Sequence, residues 1–359
     1  MNRITIIALA LAATIGTATA AKYHDAALYD LKGEVKSCKF TTTQPEGSAA
    51  DDFLPYEGNF ELNFTDDGRL SADGAGYVHD ANGYVIIDDP EYAEAYKTNN
   101  YTYKDGRVTD FVTAGCSASY LYDKEGYLVA YQRVQSTVGQ ARFSYLPLKV
   151  DDRNNWTERI VVADLTSVTP LVMQSHYYDN VKTTWKETRE ITYWDGEAAL
   201  PSIIIYEDAK SALKSRLERI YKEYYLFWES PEEAAGKPAL KDFAPESPTM
   251  DERFLSSSLI ALQELAANLD EKTGPDVNHW DNSNDGVTKK SFKIKKIEIE
   301  SPVAATASVE VGGNFVRLHF CNEYSNHYGH RSWLVDNFYY ESGFSEADHY
   351  LEVINTPEQ

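Results

Sequence analysis

Along most of the first 205 residues, apolar and polar side chains alternate with a period of two. Phe60, Leu62 and Phe64 are interleaved with Glu61 and Asn63, the pattern of a strand with one buried face. Tyr127 to Val134, Thr157 to Val162 and Thr188 to Trp194 are rich in aromatic and β-branched residues, which suit a pleated, half-buried surface. Between these runs one turn recurs, most fully as Tyr122-Asp123-Lys124-Glu125-Gly126-Tyr127-Leu128. An Asp at the first turn position can accept hydrogen bonds from amides two or more residues on, and the Gly supplies the left-handed backbone that closes the bend. Related copies run Tyr29 to Val35, Phe64 to Leu70, His79 to Val85 and Tyr103 to Val108. In a worn copy from Val150 to Trp156, Asn154 replaces the glycine. Strand, turn and strand in succession predict an antiparallel β-meander.

The period then changes. Leu213, Leu217, Ile220, Tyr224 and Phe227 recur at three- and four-residue steps, which predicts an amphipathic helix ended by Pro231. Prolines from Glu229 to Pro248 predict a linker. Thr249-Met250-Asp251-Glu252 has the form of a capping box. The stripe Leu255, Leu259, Leu262, Ala266 and Leu269 predicts one helix behind it, stopped at Gly274-Pro275. Strands are expected at Phe292 to Ile299, Ala305 to Val311, Phe315 to Phe320 and Arg331 to Tyr340. The fold class is therefore mixed: a leader over 1–20, an antiparallel β-meander over 21–205, helix and linker over 206–248, and an α+β domain over 249–359.

The repeated turns, with the later segments Val150 to Arg159 and Thr188 to Tyr193, resemble the YD repeats of bacterial Rhs-type proteins, and more closely the short YD-like meanders of exported Bacteroidetes proteins. Some six units are too few for the closed shell of long Rhs arrays. The run from Phe292 through Ser301-Pro302 and Val316-Arg317-Leu318-His319 to Trp333-Leu334-Val335-Asp336-Asn337-Phe338 resembles bacterial domains of the nuclear transport factor 2-like superfamily. That second resemblance implies a curved, cone-like sheet able to hold a ligand or a dimer partner.

Composition narrows the function. Met1-Asn2-Arg3, the apolar run Ile4 to Ile15 and Ala18-Thr19-Ala20 form a secretory signal cleaved after Ala20, so a periplasmic or secreted location is expected. No later stretch is apolar enough to span a bilayer. Lys and Arg total 34 against 56 Asp and Glu, a formal charge of −22 that disfavours nucleic acid and anionic membrane as partners. Of the three cysteines, Cys38 and Cys116 either pair or are buried as small apolar residues, while Cys321 stays unpaired.

Candidate chemistry is sparse. Asp281, Ser283 and Asp285, followed by Gly286, open like a calcium loop, but the closing acid is replaced by Phe292, and Lys289 and Lys290 would repel a cation. A plain polar loop is the alternative, so no cofactor is expected beyond a weak possibility of calcium. His319, Cys321, His327 and His330 are spaced for zinc or are surface residues. Trp280, His319, Trp333 and Asp336, with Asp276 and His279, could line a cone pocket, though no motif assigns any of them a catalytic role. Of 46 aromatic residues, 26 are Tyr, which suits either a recognition surface or the strands themselves. The function expected is binding or structural, toward a protein or glycan of the cell envelope. The alternatives are an enzyme or small-ligand binder using the cone, and an immunity-like inhibitor of a basic toxin.

Overall fold

The computed structural model describes residues 22–44, 50, 53–54, 58–71, 76–88, 100–136, 139–165, 182–196, 201–204, 206–227, 249–269, 278–283, 291–325, 327–340 and 343–355. The expected leader over 1–20 and the whole of the expected linker over 229–248 lie outside them.

The larger sheet is antiparallel. Its strands are β1 (Val35–Thr42), β2 (Phe60–Asn63), β5 (Tyr101–Lys104), β6 (Arg107–Thr113), β7 (Cys116–Tyr122), β8 (Leu128–Gln135), β9 (Gly139–Val150), β10 (Trp156–Asp164) and β11 (Lys182–Tyr193). A short pair, β3 (Val78–His79) with β4 (Val85–Ile87), stands apart, and β12 (Ser202–Ile203) pairs with β9. The spatial order is β2-β1-β11-β10-β9-β8-β7-β6-β5. Chain neighbours therefore pair from β5 to β11, and the first hairpin, β1 with β2, attaches beyond the last strand.

Five of the predicted bends have the predicted backbone. Gly68, Gly83, Gly106, Gly126 and Asn154 all have positive φ. Asp123 accepts from the Tyr127 amide (2.8 Å), and Asp80 accepts from the Asn82 and Tyr84 amides (2.8 and 2.9 Å). Asp151 accepts from the Arg153 and Asn155 amides (2.9 and 2.8 Å). In the Phe64 copy the Thr65 hydroxyl takes this place, accepting from the Arg69 amide at 3.1 Å.

The Tyr29 copy keeps its left-handed glycine, Gly33 at φ +85°, but a helix rather than a strand precedes it, so it is not a hairpin. Asp25–Tyr29 form a 3-10 helix ended by Asp30 in the left-handed region. The buried Asp25 carboxylate accepts from the Leu70 amide (2.8 Å) and bonds His79 Nε2 (2.7 Å), tying this turn to two others. The Asp30 carboxylate of this copy accepts from Trp156 Nε1 at 3.2 Å.

Helix α1 (Ala209–Phe227) follows β12. Its Leu213, Leu217, Ile220, Tyr221 and Tyr224 are buried in one core with the smaller sheet, so α1 is a packing layer of that sheet rather than a free connector. The smaller sheet has the order β13 (Phe292–Ser301), β14 (Ala304–Val311), β15 (Asn314–Ser325) and β16 (His330–Tyr339).

The single helix expected after Thr249 is two. The capping box forms, with the Thr249 hydroxyl accepting from the Glu252 amide and the Glu252 carboxylate from the Thr249 amide, but α2 ends after Met250–Phe254. Leu255 is extended and bridges Val335, and the Ser256 amide donates to Val335 O at 2.7 Å. Ser256 Oγ then accepts from the Leu259 amide and caps α3 (Ser257–Leu269). A serine-rich run thus restarts the helix, and Leu269, predicted on the buried stripe, is exposed. A fourth helix, α4 (Glu346–Asn355), had no sequence expectation and packs on α3 and β16.

All three cysteines are free. Cys38 on β1 and Cys116 on β7 are separated by β11, β10, β9 and β8, and neighbouring strands are spaced about 4.8 Å apart, so the two cannot pair.

Candidate functional site

Alternation on β15 points Val316, Leu318 and Phe320 into the helix-covered core and puts His319, Cys321 and Glu323 on the opposite face. An irregularity between β15 and β16 pairs His319 with Asn337 but Phe320 with Val335, leaving Asp336 as the extra residue. This bulge brings Asp336 to the outer face beside His319.

The outer face meets the larger sheet. Leu146 and Val162 from β9 and β10 pack on Val303 and Cys321. Around this apolar patch lies a row of polar side chains. Strand register places Asp110, Ser119, Gln132, Arg142, Asp164 and Lys182 side by side across β6 to β11. The last members of the row reach the smaller sheet. Lys182 Nζ lies 2.8 Å from Glu323 and 3.5 Å from Asp336, and donates to Ser258 Oγ at 3.3 Å. Arg142 donates to Ser257 Oγ at 2.5 Å, and the Tyr324 amide donates to Ser144 Oγ at 3.0 Å.

The charges at this junction are mutually held. Burial opposes the Lys182 charge, but the surrounding acids Glu323, Asp336 and Asp164 outweigh it and leave its pKa well above the ordinary value. Burial raises the Asp336 pKa, yet Lys182 and the His319 bond bring the net value below the usual carboxylate range. Burial disfavours the imidazolium of His319, but its 2.6 Å bond to Asp336 raises its pKa overall. For Glu323 and Cys321 burial wins, raising both. The cluster sets the Lys182 amine between the Asp336 and Glu323 carboxyl groups, with the buried Cys321 thiol beside them.

A cleft of about 270 Å³ opens at one end of the junction. Leu146, Ala209, Ala212, Pro302 and Trp333 give it apolar walls, and Arg331 and Tyr206 supply polar groups. Arg331 donates to Tyr145 O and Asn322 O, both at 2.8 Å, and so clamps β9 to β15.

The sequence-predicted site residues fall in three places. His319 and Asp336 do meet, but on the outer face. Trp280 and Trp333 are buried in the core of the smaller sheet with Phe320 and Phe338, so the inner face of that sheet is filled by side chains. Trp280 Nε1 donates to Asp251 (2.8 Å), and His279 bridges Asp251 (3.1 Å) and Glu346 (3.3 Å) while stacking on Phe338.

Asp281 is fully buried and accepts from Tyr224 OH and from the Ser283 amide and hydroxyl. The first two calcium candidates therefore serve as a loop staple, and Asp285 lies outside the described residues, as does Asp276. Among the described residues no group of three acids, histidines or cysteines converges on a metal-sized point. His327 and His330 flank Tyr328 on the surface, away from His319 and Cys321.

Lys182, Glu323, Arg142 and Arg331 had no sequence signal. They meet their partners across separations of 115 residues or more, which no local spacing reveals. No family model, curated protein or solved structure matches the chain. No helix among the described residues is long and apolar enough to cross a membrane.

Proposed function

We propose that the chain is an exported cell-envelope binding protein that recognises a protein or glycan through an open face of its larger sheet. The observation that carries this reading is the part of that face left uncovered. On β9 and β10 the face is covered by the smaller sheet, but the same face continues across β6, β7 and β8. There Val112, Ser117 and Val134 stand in register, with Val112 53% and Val134 38% exposed, and Leu121 is exposed two positions along from Ser119. Apolar side chains of this size, aligned among serines and amides, are the composition of a contact surface.

In this reading the larger sheet is a YD-like meander that presents the face, and the smaller sheet with its helices is a nuclear transport factor 2-like domain that braces it. The repeated left-handed turns support the first assignment, and one four-stranded sheet with helices on a single face supports the second. The apolar leader supports export. The test is capture of partners from envelope extract by the wild-type chain and by a Val112→Lys/Val134→Lys variant. The variant is expected to keep its melting temperature and lose the captured partner, and glycan arrays read in parallel separate sugar from protein. Equal capture by both chains would remove the face from the reading.

A further inference from the structure

We propose that the cleft beside Arg331 is a binding site for a small apolar carboxylate, with the carboxylate on the Arg331 guanidinium and the hydrocarbon body along Leu146, Ala212, Pro302 and Trp333. The two structural bonds of Arg331 go to neutral backbone carbonyls, and no carboxylate of a described residue lies within ion-pair distance of it. Lys182, Arg159 and Arg253 show the contrast, since each has an acid within 3 Å. A guanidinium carries five N–H donors in a planar fork suited to a carboxylate, and only two of them are committed to these carbonyls.

Burial makes that cation costly, lowering its pKa to about 10 although Glu323 acts in its favour beyond ion-pair distance, and an incoming carboxylate would supply a counter-charge in direct contact. The volume and largely apolar walls suit a medium-length acyl or aryl acid. Glu207 also borders the cleft but is exposed, where water weakens its repulsion of an anion. The tyrosyl group of Tyr206 is anchored on Pro147 O at 2.5 Å, which holds one wall in place. This site lies between the two sheets and does not depend on the exposed face proposed for partner binding.

Octanoate and its neutral counterpart 1-octanol, titrated into the purified chain by calorimetry and followed by tryptophan fluorescence, test the assignment. Octanoate is expected to bind about tenfold or more tightly than octanol, because a charge-assisted hydrogen bond is at stake. Arg331→Met should remove that preference. Since Arg331 also joins the sheets, Ala212→Phe provides a second variant, filling the cleft while leaving the clamp intact. It should abolish octanoate binding at an unchanged melting temperature. Glu207→Gln should bind octanoate at least as tightly as the wild type. Equal affinity for octanoate and octanol, no octanoate binding at millimolar concentration, or unchanged binding by the Ala212→Phe variant would overturn the proposal.

Discussion

Two residues show how firmly local chemistry is set by long-range neighbours. Burial acts against a charge on His279, but bonds to Asp251 and Glu346 prevail and raise its pKa to about 9. A raised histidine pKa stabilises fully below its unfolded value near 6.5 and loses that stabilisation as the pH climbs through about 9. We expect about 3 kcal/mol to disappear between pH 6.5 and 9.5, measured as urea midpoints, and expect His279→Gln to flatten that dependence. Asp251 and Glu346 have lowered values, so their contribution is present above the ordinary carboxylate range and falls away as the pH drops through their folded pKa values. Gly83 is the second case. With φ +84° and Lys22 O 2.1 Å from where a Cβ would sit, Gly83→Ala meets both backbone strain and a backbone clash. Gly196, at φ +78° with open space around it, meets strain alone. Gly196→Ala should cost about 1 kcal/mol and Gly83→Ala distinctly more, by thermal unfolding.

At the scale of elements, the junction rests on Lys182, the first residue of β11, held between Glu323 and Asp336. Removing it leaves Glu323 buried beside Asp336 without a cation. Lys182→Met is expected to cost about 3–5 kcal/mol, whereas the Lys182→Met/Glu323→Leu pair should recover much of the loss, and chemical denaturation of both measures it. The helices illustrate what local pattern conveys. The capping box at Thr249 was legible from four residues, because both of its hydrogen bonds are local. The break at Leu255 was not, because its cause is a backbone bond to Val335, 80 residues away, while a continuous stripe of leucines still reads as one helix.

Among the described residues, separate cores lie on the two sheets, and a small apolar patch, Leu146 and Val162 against Val303 and Cys321, joins them beside the polar contacts of Lys182 and Arg331. An aspartate in that patch would be desolvated with no partner. Val303→Asp is expected to split a single cooperative unfolding transition into two, observed by calorimetry with tryptophan and far-ultraviolet signals melting apart. The patch lies on the same sheet face that continues into the exposed Val112 and Val134, so the smaller sheet covers part of this face and leaves those side chains exposed.

The sequence by itself determined the features whose physics is short-ranged. These include the left-handed turns at Gly68, Gly83, Gly106, Gly126 and Asn154, the alternation that makes strands, and the amphipathic stripe of α1. Tertiary structure alone decided the pairing of β1 with β11, the filling of the inner face by Trp280 and Trp333, and the bulge that turns Asp336 toward His319. It also decided the meeting of Lys182 and Arg331 with partners on the opposite sheet. Turn and periodicity signals arise within a few residues. Register, burial and charge pairing depend on which distant strands become neighbours, and loop closure over a hundred residues or more leaves no mark in local spacing.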